Sequence, residues 1–393
     1  MIPLVIFAAA LMLAVLVSEL AYRSVLSTAV LFLVVGFATG SGGLQLIRLQ
    51  PGDPAARGLA DLALFSILFS DGMRVGLGDL RRAWRLPGRA LLIGLPLTLI
   101  GTAVAARYIA GLSWAEALLV GAVLSPTDPV FAAAIVGREE IPARLRHLLN
   151  VESGLNDGLA LPFVVGLLAL LTTGSVHALP LGGEVASGIG LGVLVPVIAV
   201  RLARRRFFAV HESHRTLFAF AVGMLIFSVA PLTHANSYLA AFAAGITLVT
   251  MLPKIREVFY PFSEPLTELL KLAALLVFGA LISGEVIHDL HAADYVFGFV
   301  ALVLIRPIAI ALAVIGSDLT WRETLVAGWF GPKGFASVVY GLMVLQQNPP
   351  RAHYLAHLIA IVVIGSIVAH SSTDVVIAHW FRRGPRDTSS PGG

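Results

Sequence analysis

Apolar residues in this chain run in long uninterrupted stretches rather than alternating with polar ones. Thirteen stretches stand out, at residues 3–22, 24–40, 58–73, 90–110, 114–136, 148–171, 184–203, 216–233, 237–252, 264–283, 295–315, 323–346 and 354–380. Continuous runs of about 20 residues predict membrane-spanning helices, whereas a membrane β-barrel needs period-two alternation. The expected fold is an all-α polytopic membrane protein with about thirteen transmembrane helices. Residues 1–22 lack a basic leader, and their apolar run is too long for a cleavable signal, so they read as a first span. The stretches leave only short connections and a polar tail, 381–393, that reads as disordered and cytoplasmic.

Orientation follows from Lys and Arg, which concentrate on the cytoplasmic side. With the C-terminus inside and strict alternation, twenty of the 27 basic residues fall inside. Arg81, Arg82, Arg85, Arg89, Arg144, Arg146, Arg204, Arg205 and Arg206 are among them. Arg48, Arg57, Arg107 and Arg351 fall outside, and Lys271, Arg306 and Lys333 fall within spans. The expected placement is a multi-pass protein of the plasma membrane with its N-terminus outside.

Thirteen spans allow an inverted repeat, with spans one to six matching spans eight to thirteen and the seventh as linker. The fifth and twelfth then correspond, and both contain helix breakers. The fifth carries Ser125-Pro126-Thr127-Asp128-Pro129, and the twelfth Gly331-Pro332-Lys333-Gly334. Proline removes a backbone donor and crowds the preceding turn. Two interrupted spans at matching positions point to a transporter's binding site.

Charged groups inside spans are costly and are usually functional or paired. Here they are Asp71, Asp128, Glu152, Asp157, Arg306 and Lys333. In the sixth span Ser153 and Asp157 are four residues apart, so they share a stripe; Glu152 and Asn156 share the adjacent one. Asp128, Thr127, Ser153 and Asp157 supply oxygen ligands suited to a hard cation such as Na+. Burial disfavours a carboxylate's charged form and a neighbouring cation restores it. One acid can therefore alternate between proton and cation. Asp157 is the expected exchanging acid and Asp128 its partner. Arg306 cannot lose its proton and needs an acid; Glu152 is the expected one. Lys333 is expected to balance helix dipoles at the second break. Asp71 reads as an interfacial or funnel residue. Glu268 and Lys271 are three apart and read as a simple pair, and His370 as part of a hydrogen-bond cluster near Ser371, Ser372 and Asp374.

Composition sharpens this picture by exclusion. Only 13% of residues are charged and 58% are hydrophobic, against about 25% charged in soluble domains. A soluble enzyme and a nucleic-acid reader are excluded. There is no cysteine, hence no thiolate metal site or nucleophile, and no GxxxxGK[ST] loop for a nucleotide. No cofactor and no enzymatic activity are expected. Gly76-Leu77-Gly78-Asp79 spells GxGD, the mark of intramembrane aspartyl proteases, but it falls in an arginine-rich loop without a partner motif. A solute symporter would show more polar and aromatic groups around the breaks.

Together the motifs resemble the cation:proton antiporter superfamily, in its sodium/proton exchanger branch. The matching runs are Ser125–Pro129, Glu152–Gly158, Phe262-Ser263-Glu264-Pro265, Arg306-Pro307 and Gly331–Gly334, in family order over residues 60–380. The resemblance implies a homodimer in membrane lipid. It implies dimerisation segments 1–89 and 208–294, an ion-carrying core formed by 90–171 and 295–380, and a linker span, 172–207. It implies elevator-type movement of the core, with Asp157 carrying ion and proton. Asp128 and Ser153 would ligate, Thr127 through its main chain, and Glu152–Arg306 would be a structural pair beside Asn156. The Asn156-Asp157 pair resembles the electroneutral, prokaryotic type. Lys333 departs from the usual arginine. Exchange of Na+, and of Li+, for H+ is the expected activity, with K+/H+ exchange on the same fold as the alternative.

Overall fold

The computed structural model describes residues 1–17, 28–74, 76–78, 85–128, 141–174, 178–205, 208, 210–285 and 290–382. Arg81, Arg82, Asp79, Arg206, Pro129, the second half of the fifth segment and the tail beyond Arg382 lie outside the described residues. Helices dominate, and no strand occurs among the described residues. Lipid offers no hydrogen-bond partners, so apolar segments satisfy their backbone groups internally as helices.

The helices are α1 (Ile2–Leu16), α2 (Thr28–Thr39), α3 (Pro54–Arg74), α4 (Leu86–Tyr108), α5 (Trp114–Leu124), α6 (Ala143–Thr173), α7 (Ala178–Ala203), α8 (Arg215–Leu232), α9 (Ser237–Met251), α10 (Ile255–Leu281), α11 (Ala292–Ala313), α12 (Trp321–Trp329), α13 (Phe335–Gln347) and α14 (Ala352–Arg382). Every apolar segment of the sequence carries one of these, and the twelfth carries two. Six are long and apolar enough to cross a membrane by length and composition alone. Helix α10 begins at Ile255, well before its apolar run, because Arg256, Glu257 and Tyr260 extend it amphipathically.

Two sets of helices emerge. Helices α2, α3 and α7–α10 pack mainly on one another, and so do α4–α6 with α11–α14. The sets meet where α3 touches α6 and α13 and α10 touches α13, with smaller contacts of α9 on α6 and α2 on α14. Small residues set the closest approach, as between membrane helices generally. A Cβ on Gly72 would meet the Phe242 carbonyl of α9, and one on Gly245 the Phe69 carbonyl of α3.

The inverted repeat is written in local chemistry. Helices α4 and α11 each contain a π turn, Ala90–Gly94 and Ala301–Ile305, just before Leu95-Pro96 and Arg306-Pro307. Proline cannot donate to the carbonyl four residues back and crowds it; widening the preceding turn relieves that crowding. Helices α5 and α12 each open with a capping box, Ser113 with Glu116 and Thr320 with Glu323. Each capping glutamate is buried and meets an arginine from the opposite half. Arg144 at the start of α6 binds Glu323 through Nε and Nη2 at 2.7 and 2.6 Å. Arg351 just before α14 reaches Glu116 at 3.8 Å.

The geometry of these two pairs sets an order of stabilities. Glu323 is 2% exposed, and Arg144 holds both of its carboxylate oxygens. Arg144→Ala is expected to cost about 1–3 kcal/mol, because a buried charge loses two bonds. Arg351→Ala, losing a 3.8 Å ion pair and a stacking contact on Tyr354 from a half-exposed side chain, is expected to cost about 0–1 kcal/mol. Thermal unfolding of both variants in detergent checks this; a lower melting temperature for Arg351→Ala than for Arg144→Ala would reverse it.

Candidate functional site

Helix α5 ends at Leu124, and Ser125–Asp128 continues as irregular chain. The same happens between α12 and α13, where Phe330–Gly334 is irregular. The two breaks meet. Asp128 N–H donates to Pro332 O at 2.8 Å, and Phe335 N–H donates to Asp128 Oδ2 at 2.9 Å. Ser337 Oγ donates to Val123 O at 2.8 Å. The carboxylate of Asp128 thus accepts from the first N–H of α13, where the helix dipole favours negative charge. Gly334 is required at the crossing because a Cβ there would fall on the Asp128 side chain.

Freed backbone groups find partners around the breaks, as buried polar groups must. Lys333 Nζ lies 3.4 Å from the carbonyls of Ser125 and Pro126 at the end of α5. Lys333 N–H donates to Ser366 Oγ at 2.7 Å. His370 meets Ser366 through Nδ1 and the Trp329 carbonyl through Nε2, and its ring stacks on Trp329. His370 therefore buttresses the second break through Ser366 and Trp329. The side chains of Ser371 and Asp374 lie outside the described residues.

Helix α6 runs beside the crossing and presents Glu152, Ser153, Asn156 and Asp157, all buried. Thr127 Oγ1 lies 3.1 Å from Ser153 Oγ and accepts from Asn156 Nδ2 at 2.6 Å. With that hydroxyl engaged by α6, the strand of irregular chain is pinned to the helix carrying Asp157. Tyr340 on α13 donates to the Asp157 carbonyl at 2.7 Å, fixing the backbone of that turn. Asp157 Oδ1 and Asn156 Oδ1 are buried without a hydrogen-bond partner. Lone buried acceptors are costly, and these two oxygens are open to a donor or a positive charge.

Arg306 on α11 grips Glu152 through two parallel bonds, Nη1–Oε1 at 2.8 Å and Nη2–Oε2 at 3.0 Å. Both side chains are buried. Gly331 lets the second break pass this pair, since a Cβ there would overlap the guanidinium. The pair fastens α6 of one half to α11 of the other.

Two further residues reach the site from the other helix set. Asp71 on α3 is 3% exposed rather than interfacial; it faces Arg74 at 3.5 Å and leaves Oδ2 without a partner. It lies within electrostatic reach of Asp128 and Asp157. Lys271 on α10 forms no ion pair with Glu268 among the described residues; its ammonium stands 4.9 Å from the centroid of the Phe335 ring. The signal for both was in the repeat, because the third and tenth spans correspond and each carries one buried charge.

Residues 6–379 match the pattern of the family described as sodium/hydrogen exchanger, transmembrane. The chain belongs to this family. A K+/H+ antiporter NhaP of Alkalimonas amylolytica is 26% identical over 365 residues, covering 89% of this chain and 62% of that protein. A probable Na+/H+ antiporter of Schizosaccharomyces pombe is 27% identical over 307 residues, covering 71% of this chain and 40% of that protein. The chain thus spans less than two thirds of the length of either relative. The sodium proton antiporter MjNhaP1 from Methanocaldococcus jannaschii has the same fold, with a TM-score of 0.82 at 20% identity over 98% of this chain and 99% of that one. This sodium/hydrogen exchanger family member is a multi-pass membrane protein.

Proposed function

We propose that this exchanger-family chain is a secondary antiporter that moves Na+, and Li+ in its place, against H+ by competition at Asp157. The observation that carries the reading is Asp157 itself, buried with an unpartnered Oδ1 beside Asp128 at two crossed helix breaks. Protonation neutralises the acid and removes the cation's main ligand; a cation in place leaves no room for the proton. Asp128 and Ser153 join as oxygen ligands, with Thr127 through its carbonyl, since its hydroxyl is taken. Asn156 holds Thr127, and Glu152–Arg306 and Lys333 hold the frame.

Residues 90–171 and 295–380 form the moving core, and 1–89 with 208–294 the scaffold through which two copies dimerise. The protein sits in the plasma membrane with its N-terminus outside. The Asn156-Asp157 pair leaves one exchanging acid and supports electroneutral exchange. A potassium reading is favoured by the K+/H+ antiporter names of the Alkalimonas relative and of several Shewanella relatives.

Everted membrane vesicles with a preformed acid interior and a pH-sensitive dye test the proposal. Na+ and Li+ are expected to dissipate the gradient, K+ and Rb+ to do so at least about tenfold less effectively. Equal or stronger action of K+ would establish the potassium reading. Clamping the membrane potential is expected to leave the rate unchanged; a steep voltage dependence would sink the electroneutral assignment.

A further inference from the structure

Lys271 is a buried cation without an anion bonded to it. It is 5% exposed and makes no hydrogen bond or ion pair among the described residues. Burying an ammonium is costly, and a contact with one aromatic face returns only a small part of that cost. The rest must come from negative charge nearby. Asp71, Asp157 and Glu268 lie within its electrostatic reach. Arg74 is already engaged by Asp71 and by Tyr260 at 3.1 Å. The Phe335 ring beneath the ammonium belongs to the residue whose N–H holds Asp128. Lys271 is therefore stabilised in part by Asp157, the acid that would receive the cation. It enters from α10, on the helix set opposite to α5 and α6, as Asp71 does from α3.

We propose that Lys271 is a tethered counter-cation of the ion site, competing electrostatically with the transported cation and setting its affinity. The inference rests on the antiporter reading of that site. Coupling between two cations that share the field of Asp157 is reciprocal. The ammonium supports the empty carboxylates and weakens cation binding in equal measure. The residue acts through charge, so arginine should replace it and an isosteric neutral side chain should not.

The test uses the purified full chain in detergent and in liposomes. Sodium-dependent thermal stabilisation and the sodium concentration for half-maximal exchange are measured for wild type, Asp157→Asn, Lys271→Met, Lys271→Gln and Lys271→Arg. Both neutral variants are expected to lower half-saturation by about fivefold or more, with no rise in maximal rate, and Lys271→Arg to stay near wild type. The chain has no cysteine, so Lys271→Cys can be modified alone. A thiol reagent carrying an ethylammonium should restore the wild-type value, and a neutral methylthio reagent should not. Unchanged half-saturation in the neutral variants overturns the inference, as does an arginine variant that behaves like methionine. Loss of folding in every neutral variant would make Lys271 structural and overturn it too. A wild-type sodium response lost in Asp157→Asn but unmoved at position 271 defeats this inference alone. A wild type with no response to sodium or potassium defeats the antiporter reading, and this inference with it.

Discussion

Asp157→Asn is expected to reduce cation-driven proton release from everted vesicles to background, a loss of at least about a hundredfold, while leaving the protein folded. Asparagine keeps the shape of the side chain and one carbonyl oxygen. It has no negative charge to hold a cation and no proton to exchange. The fold should be indifferent or slightly favoured, because Tyr340 binds the main-chain carbonyl at this position, which the substitution leaves intact. The unpartnered Oδ1 of a buried acid is also replaced by a neutral group, which is cheaper to bury. A melting temperature equal to or above wild type, together with lost exchange, separates chemistry from folding. Retention of more than about a tenth of wild-type exchange would remove Asp157 from the role of exchanging acid.

Breaking the ion pair between α6 and α11 is expected to have the reverse signature, a large loss of stability. Arg306→Met leaves Glu152 buried without its two bonds, at a cost of about 3–5 kcal/mol. Glu152→Gln leaves Arg306 with one acceptor in place of two and no counter-charge, while its Nε already lacks a partner. The double replacement Glu152→Leu with Arg306→Met removes both charges and should recover most of the lost stability, since apolar residues of similar volume often replace buried pairs without cost. Unfolding in detergent of the two single variants and the double variant forms the necessary cycle. Additive losses in the double variant would show that the two residues are not coupled and that each stabilises the fold separately.

The two outcomes depend on features of unequal visibility in the chain. Helical segments were legible because lipid forces apolar stretches into helices, and the breaks because Pro126 and Pro332 cannot sustain one. The distribution of Ser153 and Asp157 on one stripe followed from helical period alone. The direction of Lys271 was not legible. Spacing allowed a pair with Glu268, while packing turned the ammonium onto Phe335, a residue sixty-odd positions away in sequence. The depth of Asp71 was not legible for a similar reason. Its place near the inner end of the third span, beside Gly72, suggests an interface or funnel, but α9 packs tightly on Gly72 and the Asp71 side chain is buried. The π turns had a signal, a proline at matching places in the fourth and eleventh spans, which periodicity does not reveal because a π turn shifts the phase of the apolar face by a single residue.

The crossed arginine–glutamate pairs, Arg144 with Glu323 and Glu116 with Arg351, impose an order on biogenesis. Glu116 and Arg144 leave the ribosome early, and each waits for a residue in the second half. The first half must therefore enter the membrane with these ends unmatched, its glutamate held meanwhile by its own capping box. The first lock can close only once Glu323 has been translated, and the second only after Arg351 has followed it.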